Sequence, residues 1–322
     1  MDLSVIICTY NRCQSLRNTL TDVAAQSLPD SVAWEVLVVD NNSRDQTREV
    51  AAEFCRRYEA RFRYLFEPQQ GKSYALNLAI REARGRILAF TDDDVFLDPA
   101  WLRNLTAGLD TAGLKDEQWA GAGGRTLAEQ GFSPPQWLSL DRRDALAPLA
   151  IGGMDSEACE LKEAPFGNNM AFRKAVLETH GGFRTDLGPL PGSSQPQKSE
   201  DSELGTRLLL AGKRLRYEPS ALVYHCVPKN RVDKNYFLDW WYDKARADVQ
   251  AFGIPDPKWC VAGIPLRLFR RLVVWTFRWM LTLEPRRRFD CKLNVWVLMG
   301  QIRECYSWRP NLKEQKGCNA GA

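Results

Sequence analysis

Ile87-Leu88-Ala89-Phe90-Thr91 runs directly into Asp92-Asp93-Asp94. The five residues before the acids read as a short strand buried on both faces, and Gly85 sits just ahead of them where a helix would be capped. Three adjacent carboxylates repel one another, so their presence at a strand end calls for a positive partner. On a strand, alternate residues face the same way, which would let Asp92 and Asp94 converge. The same acids also suit a turn before the next helix, since Asp98-Pro99 follows closely.

Moving outward, Leu3–Cys8, Glu35–Val39 and Phe62–Phe66 are three more short apolar runs of the same kind. Helical spacing fills the gaps over Ser15–Gln26, Asp45–Tyr58 and Ser73–Ala83. Strand and helix in strict alternation specify a mainly parallel sheet covered on both faces. Ligands of such sheets bind beyond the carboxyl ends of the strands. The polar clusters fall there: Thr9-Tyr10-Asn11-Arg12 after the first strand, Asp40-Asn41-Asn42-Ser43 after the second, and the acid run after the fourth.

Beyond Trp119 the pattern loosens. Gly121-Ala-Gly-Gly and Gly167-Asn168-Asn169 read as loops or close backbone approaches. Gly188 to Ser199 reads as a mobile loop, Glu200–Ala211 as a helix, and Arg214–Tyr217 and Ala221–Tyr224 as two short strands. After Pro228 the chain is helical, basic and rich in Trp.

A hydrophobic fraction of 44% and a charged fraction of 26% in 322 residues exclude disorder as the main state. The net charge of +4 is too small to imply nucleic acid, and none is expected as a partner. From Lys229 to Lys316, however, eighteen Lys and Arg face nine Asp and Glu, so a basic tail follows an acidic body. Nine cysteines with no C-x-x-C pair fit a reducing compartment better than a zinc site or disulfide framework. Leu3–Cys8 is too short for a secretory h-region and Leu272–Leu283 too short to span a bilayer. The expected location is cytoplasmic, peripheral on the inner face of the cytoplasmic membrane.

No G-x-G-x-x-G follows the first strand and no Walker loop is present, which argues against dinucleotide and P-loop chemistry. A hard divalent cation with oxygen ligands, bridging a diphosphate, is the natural occupant of the acid run. Asp40, closing a strand of a βα unit, can hydrogen-bond a ribose or a base, although Asn42 or Ser43 could equally be capping a helix there. Ser199-Glu200-Asp201-Ser202-Glu203 suits any helix N-terminus, yet a carboxylate at the end of a loop also suits a general base. His225 is one of two histidines and follows a strand-like run.

In order along the chain stand V-I-I-C-T-Y-N-R, V-L-V-V-D-N-N-S, G-K-S-Y-A-L-N-L-A-I, G-R-I-L-A-F-T-D-D-D, F-G-N-N-M-A-F-R, H-G-G-F-R, S-E-D-S-E-L-G-T-R-L and Y-E-P-S-A-L-V-Y-H. This ordered set, from Leu3 to about Gly253, resembles the family 2 glycosyltransferases. The resemblance implies an α/β GT-A fold, a three-layer α/β/α sandwich with a mainly parallel sheet, plus a helical C-terminal extension. It implies a catalytic domain over 1–228, with a nucleotide-binding half (1–118) and an acceptor-binding half (119–228), and a basic extension over 229–322. It further implies an inverting transfer from a nucleotide-sugar donor, a UDP-sugar before a thymidine or guanosine one, to a glycan, glycolipid or lipid-linked acceptor.

By the same resemblance Thr9, Tyr10, Arg12, Asp40 and Asn42 line the nucleotide, and Gly71, Lys72, Asp93, Gly167 and Asn169 shape the donor site. Asp92, Asp94 and His225 hold Mn²⁺ or Mg²⁺. Asp201 is the general base, with Glu200 as the neighbouring alternative. Arg267 to Leu281 and Arg286-Arg287-Arg288 suit an interfacial helix on an anionic membrane, or a helix packed on the body with its arginines extended to water. A nucleotidyltransferase, a retaining transferase and a non-catalytic scaffold that binds nucleotide-sugars are the competing readings.

Overall fold

The computed structural model describes residues 1–109, 119–140, 144–153, 157–189, 198–254 and 259–307. Most of the expected loop between Gly188 and Ser199, residues 190–197, lies outside them. Two compact units are present: Met1–Phe132 with Leu149–Gly192 and Glu200–Val227, and Ser133–Pro148 with Ser193–Ser199 and Pro228–Ala322.

The first unit opens as β1 (Leu3–Thr9), α1 (Cys13–Ala24), β2 (Trp34–Asp40), α2 (Thr47–Arg57), β3 (Phe62–Phe66), α3 (Lys72–Glu82) and β4 (Ile87–Thr91). It continues as β5 (Val95–Leu97), α4 (Trp101–Thr106), β6 (Gly121–Ala128), β7 (Cys159–Glu160), β8 (Met170–Arg173), α5 (Lys174–His180), α6 (Glu200–Leu210) and β9 (Leu215–His225). The sheet order is β3-β2-β1-β4-β8-β6-β9-β5, with β7 on β9. Strands β3, β2, β1 and β4 pair in parallel, β8 runs antiparallel between β4 and β6, and β6 returns to parallel pairing with β9.

Period-2 alternation divides each central strand between two cores. Val5, Ile7, Val36, Val38 and Ala89 face a cluster with Leu16, Leu20, Val50, Phe54, Trp101 and Leu105 from α1, α2 and α4. Ile6, Leu37, Val39, Leu88 and Phe90 face the opposite cluster with Leu76, Ile80, Leu204 and Leu208 from α3 and α6. Helix, sheet and helix thus form three layers. Phe90 is fully buried, and its truncation to Ala would cost about 3–5 kcal/mol.

The strand order reverses around β1, which lies between β2 and β4. That switch point opens a crevice at the carboxyl ends of β1 and β4, which positions the site.

Three local expectations change. Gly85 has no left-handed backbone; a Cβ there would sit 2.4 Å from the backbone of Leu3 and Ser4, so glycine permits close approach to β1 rather than a cap. Gly121–Gly124 are strand residues of β6, where a Cβ would clash with Ala171, Pro165 and Ala221. The two short strands at 214–217 and 221–224 are one strand, β9, whose register shifts opposite Gly124 and Arg125. Pro219, lacking an N–H, sits in the irregular stretch.

In the second unit α7 (Lys234–Phe252) and α9 (Pro285–Ser307) pack together, with α8 (Leu266–Leu281) against α9. Asp233 caps α7 by accepting from the Asn235 and Tyr236 amides at 2.7 and 3.4 Å. Gly300 lets α9 approach α7, since a Cβ there would lie 2.4 Å from the Tyr242 carbonyl oxygen. Among the described residues no helix is long and apolar enough to cross a membrane.

Candidate active site

Strand β4 stops at Thr91, and Asp92–Asp94 lie in the link to β5. Strand alternation therefore does not govern where the acids point, and Asp92 separates from Asp94. Asp92 Oδ1 accepts from Lys72 Nζ at 2.7 Å. Burial opposes its charge most strongly, but the Lys72 ammonium, joined by the other cationic side chains around it, holds the carboxyl below its ordinary range. Lys72, at the start of α3, also lies 3.9 Å from Glu200 Oε1. Burial works against its charge too, and Asp92 and Glu200 more than restore it.

Asp94 turns the other way. Its Oδ1 is 3.6 Å from His225 Nε2 at the end of β9, and Arg12 forms an ion pair with its Oδ2. Arg12 also reaches Asp93 Oδ1 at 3.3 Å. Burial pushes the Asp93 carboxyl up to about 7, against the pull of Arg12 and with a push from Asp94.

A hard cation takes ligands at about 2.1 Å, so donors less than about 4.2 Å apart can share one. Asp94 and His225 meet that condition. Among the described residues no three His, Cys, Asp or Glu side chains converge on one point. Of the three expected ligands, Asp94 and His225 lie side by side, and Asp92 pairs with the Lys72 ammonium.

Glu200 and Asp201 open α6. Asp201 Oδ2 accepts from the Gly167 amide at 2.9 Å, and Oδ1 accepts from the Ser202 amide at 2.6 Å. A Cβ on Gly167 would lie 2.8 Å from Asp201 Oδ2, so glycine leaves the carboxylate its place. Burial, then the neighbouring Asp201 charge, push the Glu200 carboxyl up to about 7, with Lys72 opposing. Lys72, Asp92, Gly167, Glu200 and Asp201 line one small cavity floored by Cys8, Phe90 and Met170.

Asp40 is buried at the end of β2, accepting from Tyr64 Oη and the Ser43 amide, both at 2.9 Å. Thr9 is buried at the end of β1, and Tyr10 is half-buried beside it. Asn42 supplies a left-handed turn with φ of 64°, and Gly71 has φ of 134°. The residue between sheet and loop that sequence reading missed is Asn41. It accepts from the Gly71 amide at 2.8 Å and donates to the Gln69 carbonyl at 2.7 Å, fixing the loop that carries Lys72.

Asn169, expected at the donor pocket, is fully buried. Its Oδ1 accepts from Trp101 Nε1 at 2.9 Å, and its Nδ2 donates to the Arg125 and Ala221 carbonyls at 3.0 and 2.8 Å. Asn168 is also engaged, accepting from Thr126 Oγ1 at 3.0 Å and, by its carbonyl, from Thr91 Oγ1 at 2.9 Å. Both asparagines brace the turn that presents Gly167 to Asp201.

Residues 4–116 match the model of Glycosyl transferase family 2. The chain is 37% identical over 243 residues to the glycosyltransferase AglE of Haloferax volcanii, covering 75% of each chain. It is 26% identical over 232 residues to the succinoglycan biosynthesis protein ExoM of Rhizobium meliloti, covering 72% of this chain and 69% of the relative. Among solved structures, the mannosyltransferase PcManGT from Pyrobaculum calidifontis in complex with GDP-Man and Mn²⁺ superposes with a TM-score of 0.58 at 21% identity, covering 99% of this chain and 80% of that one. With an acid run at the end of β4 and a relative this similar over three quarters of both chains, the protein is a glycosyltransferase and belongs to glycosyl transferase family 2.

Proposed function

We propose that the protein transfers a sugar, with inversion, from a nucleotide-diphosphate donor to an acceptor hydroxyl in the synthesis of a polysaccharide or lipid-linked glycan. The observation that carries this reading is the acid run after β4, whose Asp94 meets Arg12 and His225 while its Asp92 lines the same cavity as Asp201, fixed by Gly167. In this reading 1–228 is the catalytic part and 229–322 an extension, working peripherally at a membrane.

The acceptor hydroxyl oxygen attacks the anomeric carbon from the face opposite the diphosphate. The bond from that carbon to the diphosphate oxygen breaks, and its electron pair leaves with the diphosphate. Asp201 takes the hydroxyl proton. Two amide donors hold its carboxylate, so the base is oriented before the acceptor arrives. Lys72 and Arg12 face the departing negative charge, and Asp40 and Tyr64 meet the nucleoside end at β2. Asp94 and His225 would hold Mn²⁺ or Mg²⁺, which when bound neutralises charge on the diphosphate. Uridine is the favoured base by family resemblance, with guanosine next, since the PcManGT complex holds GDP-Man.

The test is incubation with single nucleotide-sugars and a hydroxyl acceptor, with nucleoside diphosphate release and product anomeric configuration read by NMR. Release of nucleoside diphosphate with an inverted product supports the reading. Retention of configuration, or pyrophosphate release from a nucleoside triphosphate, would replace it.

A further inference from the structure

Helix α8 carries two apolar faces. Leu268 is buried, with Leu272 and Trp275 packed beside it, in a cluster with Leu298 and Cys305 of α9. On the opposite side, Leu266, Phe269, Val273, Phe277, Met280 and Leu281 follow helical spacing and all point outward. Their exposure reaches 61% at Phe277, 62% at Met280 and 77% at Leu281. A continuous apolar stripe of this kind on a surface marks an interaction site rather than chance exposure.

The charges identify the partner. From Trp259 to Leu283 the chain holds four arginines and no Asp or Glu. On a helical wheel Arg267, Arg271 and Arg278 border one side of the stripe and Arg270 lies within it. Arg278 also stacks on Trp275 at 4.8 Å, which holds its guanidinium beside the helix. Ahead of α8, the ribbon Cys260–Val261 and Ile264–Pro265 puts Trp259 on the surface at 78% exposure, with Val261 also exposed. Trp is the side chain that settles at the level of lipid headgroups.

The helix is about 24 Å long and interrupted by arginines, which suits lying in the headgroup plane and not crossing it. We propose that the outward face of α8, with Trp259, docks this chain onto an anionic lipid bilayer, the apolar stripe entering the acyl boundary and the arginines meeting lipid phosphates. This rests on the peripheral location within the proposed function and gives it residues and a lipid chemistry.

The test is sedimentation of the full chain with vesicles of phosphatidylcholine alone and of phosphatidylcholine with one-third phosphatidylglycerol. Wild type is expected to bind the anionic vesicles, and added salt to weaken binding. Phe277→Asp with Met280→Asp is expected to lower binding at least tenfold. Arg270→Glu with Arg271→Glu, a second pair that keeps every apolar residue of the stripe and reverses two of its charges, is expected to lower it severalfold. Sugar transfer to a water-soluble acceptor, measured in parallel, stays unchanged in both pairs, which separates failure of docking from failure of the enzymatic reading. Absence of binding by wild type, or wild-type binding retained by both pairs, would overturn the proposal. So would a wild-type dimer that the Asp pair converts to monomer without any vesicle binding, because the face would then belong to a second copy.

Discussion

Lys72 Nζ and Asp92 Oδ1 meet at 2.7 Å, and this contact divides the acid run in two. Asp92 goes with Lys72, Glu200 and Asp201, while Asp94 goes with Arg12 and His225.

Asp201→Asn keeps an oxygen for the Gly167 amide but cannot take a proton. Turnover is expected to fall about 10²–10⁴-fold, with donor affinity nearly unchanged. Steady-state kinetics check this; a variant with kcat within a factor of about three of wild type would remove Asp201 from the role.

Gly167→Ala places a methyl 2.8 Å from Asp201 Oδ2. The carboxylate must move, and kcat is expected to drop on the order of 10²-fold while Tm shifts little. A large fall in Tm with normal kcat per folded molecule would show that Gly167 serves the fold alone.

Asn169→Ala leaves Trp101 Nε1 without its acceptor and two buried carbonyls without a donor. Stability is expected to fall by about 2–4 kcal/mol, read as several degrees in Tm, with little change in donor KM. An unchanged Tm with a raised KM would return Asn169 to the donor pocket.

Glu200 is normally near 4.5 and is raised to about 7 in the folded protein. Between those values the folded state keeps a proton that the unfolded chain has released, so stability falls as pH rises through this window. Its contribution is complete below the unfolded value and lost above the folded one. Glu200→Gln removes the titration, so its Tm is expected to decline less than wild type between about pH 5 and pH 8. Parallel Tm curves for the two proteins would contradict the buried, proton-holding Glu200.

The first four strands and the helices between them were legible in the sequence because both faces of β1, β2 and β4 are buried and edge strand β3 is rich in aromatic residues. Continuous apolar runs such as Val36–Val39 result, and they stand out without tertiary information. Strands β5, β7 and β8 were not legible. Each has four residues or fewer, and β8 is defined by antiparallel pairing with β4 and β6, distant along the chain. Asn41 was hidden for a similar reason: its partners Gln69 and Gly71 belong to a later loop. The division of the acid run was hidden as well, since the Lys72 that claims Asp92 stands twenty residues earlier, on α3. The convergence of Arg12 with Asp93 and Asp94 follows from the switch point at β1 and β4, which strand order alone reveals.

The most direct test of the central claim is thermal stabilisation by UDP, GDP and TDP, each with and without Mn²⁺, on wild type, Asp94→Ala and Asp92→Ala. A ligand that binds only the folded state raises Tm by mass action. The account predicts a Mn²⁺-dependent rise with one nucleotide, abolished in Asp94→Ala and only reduced in Asp92→Ala, whose carboxylate pairs with Lys72. No rise with any nucleotide, or an equal metal-dependent rise in wild type and Asp94→Ala, would contradict it.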